Sequence, residues 1–267
     1  MISPFDPLFF DPFLTGCAFG IVLPLLGVYL RLRGEWLAAL AFAQISAPGA
    51  LLAALLGAPS IAGGIAAAVL AVVFKQTFEG AARKARGTIY AILFLSGWSV
   101  SVLLVVNLPV AERMGHALFD GQLYFTGRAH LVNAFILTAV VFVFLRFVSK
   151  NLLLSHFFPD FFRARGLSER RAHCAFDLAV AIALALATAS IGVMAAFALV
   201  FIPPLIAFKW GANWRRSTVI AVVSGGFAHV AAFLLAIALD QPYGPLLTLL
   251  LIIMGGTSQI VRVESPS

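Results

Sequence analysis

Charge is what this chain has least of. Asp, Glu, Lys and Arg make up 11% of its 267 residues, against about 25% in a soluble domain. No charged residue at all stands between Glu35 and Lys75. With 62% of the residues hydrophobic, the composition excludes an ordinary soluble fold. It describes a polytopic membrane protein whose bundle fills nearly the whole chain. Cysteine is almost missing too. Cys17 and Cys174 fall in or beside different apolar runs, fit no zinc-finger or redox spacing, and read as small packing residues. The first thirteen residues contain neither Lys nor Arg, which excludes the basic start of a secretory signal peptide. No Walker-type phosphate loop is present, so any uphill transport must draw on ATP hydrolysis in another chain or on an ion gradient. There is also no low-complexity linker and no separate soluble domain. Residues 1–267 therefore read as a single transmembrane domain.

What the chain does have is apolar runs of spanning length. A helix needs about 20 apolar residues to cross the hydrocarbon. Candidate spans lie at 13–30, 36–57, 60–77, 88–108, 131–148, 173–190, 192–208, 217–239 and 245–261. Pro and Gly inside them are tolerated in membrane helices. The join "SIG" at 190–192 is so tight that its flanking runs read either as two spans or as one span plus a broken or re-entrant helix. The expectation is all-α, with eight to nine spans.

The positive charges orient these spans. Arg31 and Arg33 follow the first; Lys75, Arg83, Lys84 and Arg86 sit between the third and fourth. Arg146, Lys150, Arg163, Arg165, Arg170 and Arg171 lie at or after the end of the fifth, Lys209, Arg215 and Arg216 follow the seventh, and Arg262 the ninth. If every span crosses once, only Arg113 and Arg128 fall on the opposite side. Because Lys and Arg concentrate in cytoplasmic loops, the expected N-terminus is outside and the C-terminus in the cytoplasm of a bacterial inner membrane. A net charge of +7 is then a topology signal, and no nucleic-acid partner is implied.

Two segments outside the spans carry candidate chemistry. The external stretch 109–130 contains His116, Asp120 and His130, which are either solvated loop residues or ligands that receive a metal. The cytoplasmic stretch 155–171 contains "FFPDFFRARGLSERR". Pro159 can open a short helix, Asp160 suits its first turn and Gly166 can end it. Phe157, Phe158, Phe161 and Phe162 give it an aromatic face. Such a helix is either a docking knob for a partner or an interfacial helix on anionic lipid.

Here the sequence resembles the zinc/manganese/iron permeases of bacterial ABC importers. "FPDFFRARGLS" is similar to that family's cytoplasmic coupling segment. "IGVMAAFALVFIPPLIAF" matches a family segment with Gly192 and Pro203 at its spacing. "LDQPYGP" resembles the Asp-x-Pro-x-Gly-Pro turn before the last helix, through Asp240, Pro242 and Gly244. "RLRGEWLAALAFAQISAPG" resembles the arginine-led second helix that reaches a His-x-x-x-Pro-Gly-like stretch. The resemblance covers about residues 15–265. It implies a type II-like permease that is not itself an enzyme and works as a homodimer. It would sit on a cytoplasmic ATPase that binds the ATP and receive cargo from an extracytoplasmic solute-binding protein. The coupling residues would be Phe158, Pro159, Asp160, Phe161, Phe162 and Gly166. The chain itself would hold no cofactor, and the cargo would be a divalent metal such as zinc, manganese or iron. The pattern also departs from the family. Leu40 and Gln44 stand where the resemblance leads one to expect an Asp and a His four residues apart, and Phe158 replaces an Asp in the coupling segment.

Three polar features inside the spans remain. Gln44, Ser46 and Pro48 lie in one apolar run. Pro48 deprives the Gln44 carbonyl of its helical donor and bends the helix, which leaves either a weak polar site beside a path or an interhelical hydrogen bond with a kink. His229 is mid-span, where an ionisable group is a functional candidate. Gln44 is its expected partner, and a neutral histidine on a backbone carbonyl is the alternative. His173 and Asp177 share a helix face and read either as a cytoplasmic exit site for a cation or as a dipole-answering Asp. The expected function is a metal-importer permease. A metal-chelate or organic-solute permease and an ion-driven secondary transporter are the alternatives. An integral membrane enzyme finds no clustered triad.

Overall fold

The apolar runs are helices, because in lipid the backbone must satisfy its own hydrogen bonds. In the computed structural model of the chain, the described residues are 7–78, 86–121, 123–158, 160 and 168–260. They form α1 (Phe10–Leu32), α2 (Trp36–Leu55), α3 (Ser60–Phe78), α4 (Arg86–Asn107), a short α5 (Pro109–His116) and α6 (Arg128–Phe157). After these come α7 (Glu169–Ile191), α8 (Val193–Trp210), α9 (Trp214–Leu239) and α10 (Tyr243–Ile260). Nine of them are long and apolar enough to cross a membrane, and no strand is present among the described residues. The helical fold with about eight to nine spans is therefore as expected.

Helices α1, α2, α7 and α8 form the buried centre, with most of each span hidden inside the protein. Helices α3, α4, α6 and α10 present most of their surface outward. The centre is alanine-rich: Ala38, Ala39, Ala41, Ala43 and Ala47 of α2 and Ala181, Ala183 and Ala187 of α7 are fully buried. Small side chains let helices approach closely where hydrophobic burial gives no net drive. Pro48 sits inside α2, and the α4 backbone closes on the carbonyl it frees. A side chain at Gly97 would have its Cβ 2.7 Å from the Gln44 carbonyl oxygen. A glycine is required there for the two backbones to meet.

The structure decides three points, two of them corrections and one, at "SIG", a choice between two expected readings in favour of two spans. First, α6 runs to Phe157, well past the expected 148. Leu145, Leu152 and Ser155 continue its buried stripe, and the helix stops just before Pro159, as a following proline dictates. Second, "SIG" is a one-residue break between two separate spanning helices, because Gly192 has φ 87° and ψ 159°, a conformation open almost only to glycine. Third, 109–130 is not an open external loop. It holds α5, a π-turn over Ala117–Gly121 and a 3-10 turn over Leu123–Phe125, with Ala111, Leu118, Gly121 and Leu123 buried. The π-turn is clasped by the break and by the start of α10. A Cβ at Gly121 would lie 2.2 Å from the Ile191 carbonyl oxygen, one at Gly192 2.8 Å from the Gly121 nitrogen, and one at Gly244 2.1 Å from the Asp120 carbonyl oxygen. Asp240, at φ 51°, turns the chain between α9 and α10, and Pro242 follows it. Pro203 lies inside α8, buried.

Candidate functional site

The expected path residues on α2 are buried but do not act together. Gln44 is fully buried, and neither amide atom has a hydrogen-bond partner among the described residues. Ser46 spends its hydroxyl on the Ala43 carbonyl at 2.7 Å. The hydroxyl of Ser101 on α4, one turn beyond Gly97 on the same face, is also buried without a partner. An unmade hydrogen bond in such a place costs about 1–3 kcal/mol. Leu40, one turn before Gln44, is half-buried.

His229 does not meet Gln44. Its Nδ1 lies 2.7 Å from the Tyr243 hydroxyl and its Nε2 3.1 Å from the Phe13 carbonyl. A neutral imidazole satisfies both contacts: Nε2–H donates to the carbonyl and Nδ1 accepts from the phenol. The ring also blocks any side chain at Gly16, whose Cβ would stand 2.1 Å from it. His229 is thus a structural link between α1, α9 and α10. Replacing Tyr243 with Phe keeps the shape but orphans Nδ1, and should lower thermal stability by about 1–3 kcal/mol. An unchanged melting temperature in detergent would show that the link contributes nothing.

The expected metal candidates are dispersed. His116 and Asp120 stand 3.7 Å apart and exposed on the π-turn side, while His130 meets the Ser190 hydroxyl at 3.1 Å. His173 meets the Ser155 hydroxyl at 3.4 Å. Asp177 turns instead to Arg33 and Lys75, so the "HCAFD" pair is divided between separate partners rather than held for one cation. Among the described residues no three His, Cys, Asp or Glu side chains converge as a metal site. Of the coupling residues, Phe158 follows the last residue of α6, and Phe158 and Asp160 are exposed. Pro159, Phe161, Phe162 and Gly166 lie outside the described residues.

At the basic end of the bundle lies a charged centre that sequence reasoning missed. The α1–α2 connection supplies Arg33 and Glu35, α3 supplies Lys75 and α7 supplies Asp177. All four side chains are at most 5% exposed. Lys75 Nζ donates to Glu35 Oε2 at 2.9 Å and to Asp177 Oδ2 at 2.5 Å. Arg33 forks, donating to Asp177 Oδ1 and to Glu35 Oε2, both at 2.8 Å. Tyr90 of α4 donates to Glu35 Oε2 at 3.2 Å. Burial alone would pull the Arg33 guanidinium down. Asp177 and Glu35 outweigh it and hold the group above its ordinary range. Two cations and two anions cancel, which is how buried charge is tolerated. A signal was available: Lys75 and Asp177 are opposite charges inside predicted spans near the same end, and a lone charge there is costly enough to demand a partner.

These features sit on a fold with known relatives. A "Probable iron transport system membrane protein" of Haemophilus influenzae is 23% identical over 249 residues, covering 92% of this chain and 92% of that protein. The "Manganese transport system membrane protein MntC" of Halalkalibacterium halodurans is 21% identical over 231 residues, covering 84% of this chain and 77% of its own length. The structure of PsaBC from Streptococcus pneumoniae in complex with Fab superposes with a TM-score of 0.84 at 19% identity, covering 96% of this chain and 92% of that one. The family model described as the ABC 3 transport family matches residues 6–260, and the chain belongs to that family.

Proposed function

We propose that this chain is the membrane permease of a bacterial ABC importer for a divalent transition metal. It works as a homodimer on a separate cytoplasmic ATPase and is loaded by an extracytoplasmic binding protein. The observation that carries the reading is the family match over nearly the whole chain. Relatives named for iron and manganese transport support the cargo class. The buried Gln44 amide supports it as well. Its carbonyl oxygen is a neutral, hard donor of the kind that suits manganese better than zinc. A step in a path must release what it binds, and a lone amide oxygen holds a cation weakly.

Reconstituted with the ATPase and the binding protein, the chain should drive ATP-dependent uptake with shallow discrimination among manganese, iron and zinc. Leu40→Asp with Gln44→His places a carboxylate and an imidazole one turn apart. That double variant should retain more metal on purification and shift preference toward zinc. Uptake that follows an ion gradient and ignores ATP would replace this reading with a secondary transporter.

The charge bias supports an outside N-terminus and a cytoplasmic C-terminus. In a background lacking Cys17 and Cys174, Glu112→Cys should label from outside and Ser168→Cys only after permeabilisation. Labelling of both from one side would reverse that assignment.

A further inference from the structure

We propose that the groove between α1 and α6 at the basic end of the bundle binds one anionic phospholipid. The groove encloses about 590 Å³, within the roughly 300–1,000 Å³ of small-molecule sites. Its walls are apolar, Leu25 from α1 and Phe142, Leu145 and Leu153 from α6 among them, and its lip carries Arg146 and Lys150. No acidic side chain lines it.

Height fixes what can occupy it. Arg146 lies 18 residues into α6, which at 1.5 Å per residue is about 27 Å from the far end, close to the hydrocarbon thickness of about 30 Å. Lys150 follows one turn later on the same face. The two cations therefore stand where headgroup phosphates lie, with the apolar wall running beneath them into the acyl region. Both are exposed, and neither makes an ion pair or hydrogen bond with any described residue. Some other cations near this end are matched: Arg33 and Lys75 by carboxylates, and Lys209 by the Ser258 and Gln259 carbonyls at 2.6 and 2.7 Å.

The groove floor adds a donor. The Tyr29 and Ser149 hydroxyls are 2.7 Å apart. One of them donates to the other, which leaves a single hydroxyl hydrogen for a phosphate or glycerol-ester oxygen. The guanidinium fork of Arg146 matches two phosphate oxygens, Lys150 adds a point charge, and an acyl chain covers Leu25, Phe142 and Leu145. Basic pockets between membrane helices at a headgroup level take anionic lipid in this way. Free phosphate would leave the apolar wall uncovered. The inference rests on the spans, not on the cargo.

Native mass spectrometry of the detergent-purified chain, titrated with phosphatidylglycerol and with phosphatidylcholine, tests it. One phosphatidylglycerol per chain is expected, at least tenfold tighter than phosphatidylcholine. Arg146→Gln with Lys150→Gln should remove that preference. Arg215→Gln with Arg216→Gln takes the same charge from the exposed start of α9 and should leave it intact. Leu153→Trp narrows the groove but keeps both cations, and should weaken binding about tenfold. Retained preference in the Arg146/Lys150 variant overturns the proposal. So does equal loss in the Arg215/Arg216 variant, which would mean diffuse attraction. Competition by soluble glycerol phosphate as strong as by the lipid would mean a phosphate site. Disulfide cross-linking of Leu153→Cys between copies would mean that a second chain covers the groove.

Discussion

Lys75→Met will cost the chain about 3–5 kcal/mol, the usual penalty for breaking a buried ion pair from one side. Methionine matches the stem of lysine, so shape is nearly conserved and the change isolates charge. With Lys75 gone, Arg33 alone faces Glu35 and Asp177, and one carboxylate is left uncompensated at 1–2% exposure. The variant should accumulate poorly and melt far below the parent in detergent. Adding Glu35→Gln restores neutrality by leaving the Arg33–Asp177 pair, and should recover more than half of the loss. A single variant that melts like the parent would show that water reaches the centre and screens it. The centre joins the α1–α2 connection to α3, α4 and α7. Any motion of these helices against one another in a transport cycle must carry the four charges together or open them to water.

The second large effect is expected at Gly192. Alanine there meets two separate costs. The backbone at φ 87° and ψ 159° lies where a side chain is strained by about 1–3 kcal/mol. The added Cβ would press on the Gly121 nitrogen at 2.8 Å and the Phe119 carbonyl at 2.9 Å, for another roughly 1–3 kcal/mol of overpacking. Gly244→Ala separates the terms, because its backbone is unstrained while its Cβ would stand 2.1 Å from the Asp120 carbonyl oxygen. Gly256→Ala on α10, where nothing lies within 4 Å, serves as the control and should be neutral or slightly stabilising. The expected order of melting temperatures puts Gly256→Ala highest and Gly192→Ala lowest. If Gly192→Ala melts with the control, the clasp between the π-turn and the helix break is not holding the segment between α4 and α6.

Lipid makes much of this fold legible from sequence. A span must be continuous, apolar and helical, so the boundaries of α2 and α3 could be read to within two residues and the helix class throughout. The glycines of the two matched motifs were legible as well, but not their purpose. Gly192 and Gly244 are separated by 52 residues, and both press on a π-turn around Gly121 that no apolar periodicity announces. The end of α6 was misplaced because a helix leaving the membrane loses its hydropathy signal while Leu152 and Ser155 still find neighbours to pack on.

The polar residues divide along the same line. That Gln44 is buried followed from its run, since no water reaches the middle of an apolar span. That its amide has no partner among the described residues, while His229 turns to Tyr243 and Phe13, depended on which helix faces lie together. Composition and charge placement determined the helical class, the spans and the basic end, because the solvent acts on each segment separately and one segment at a time can be read. The pairing of Lys75 with Asp177, 102 residues apart, and the meeting of Arg146 and Lys150 with the α1 wall were decided only by tertiary structure. A buried charge or an open groove takes its meaning from neighbours that the order of the chain does not name.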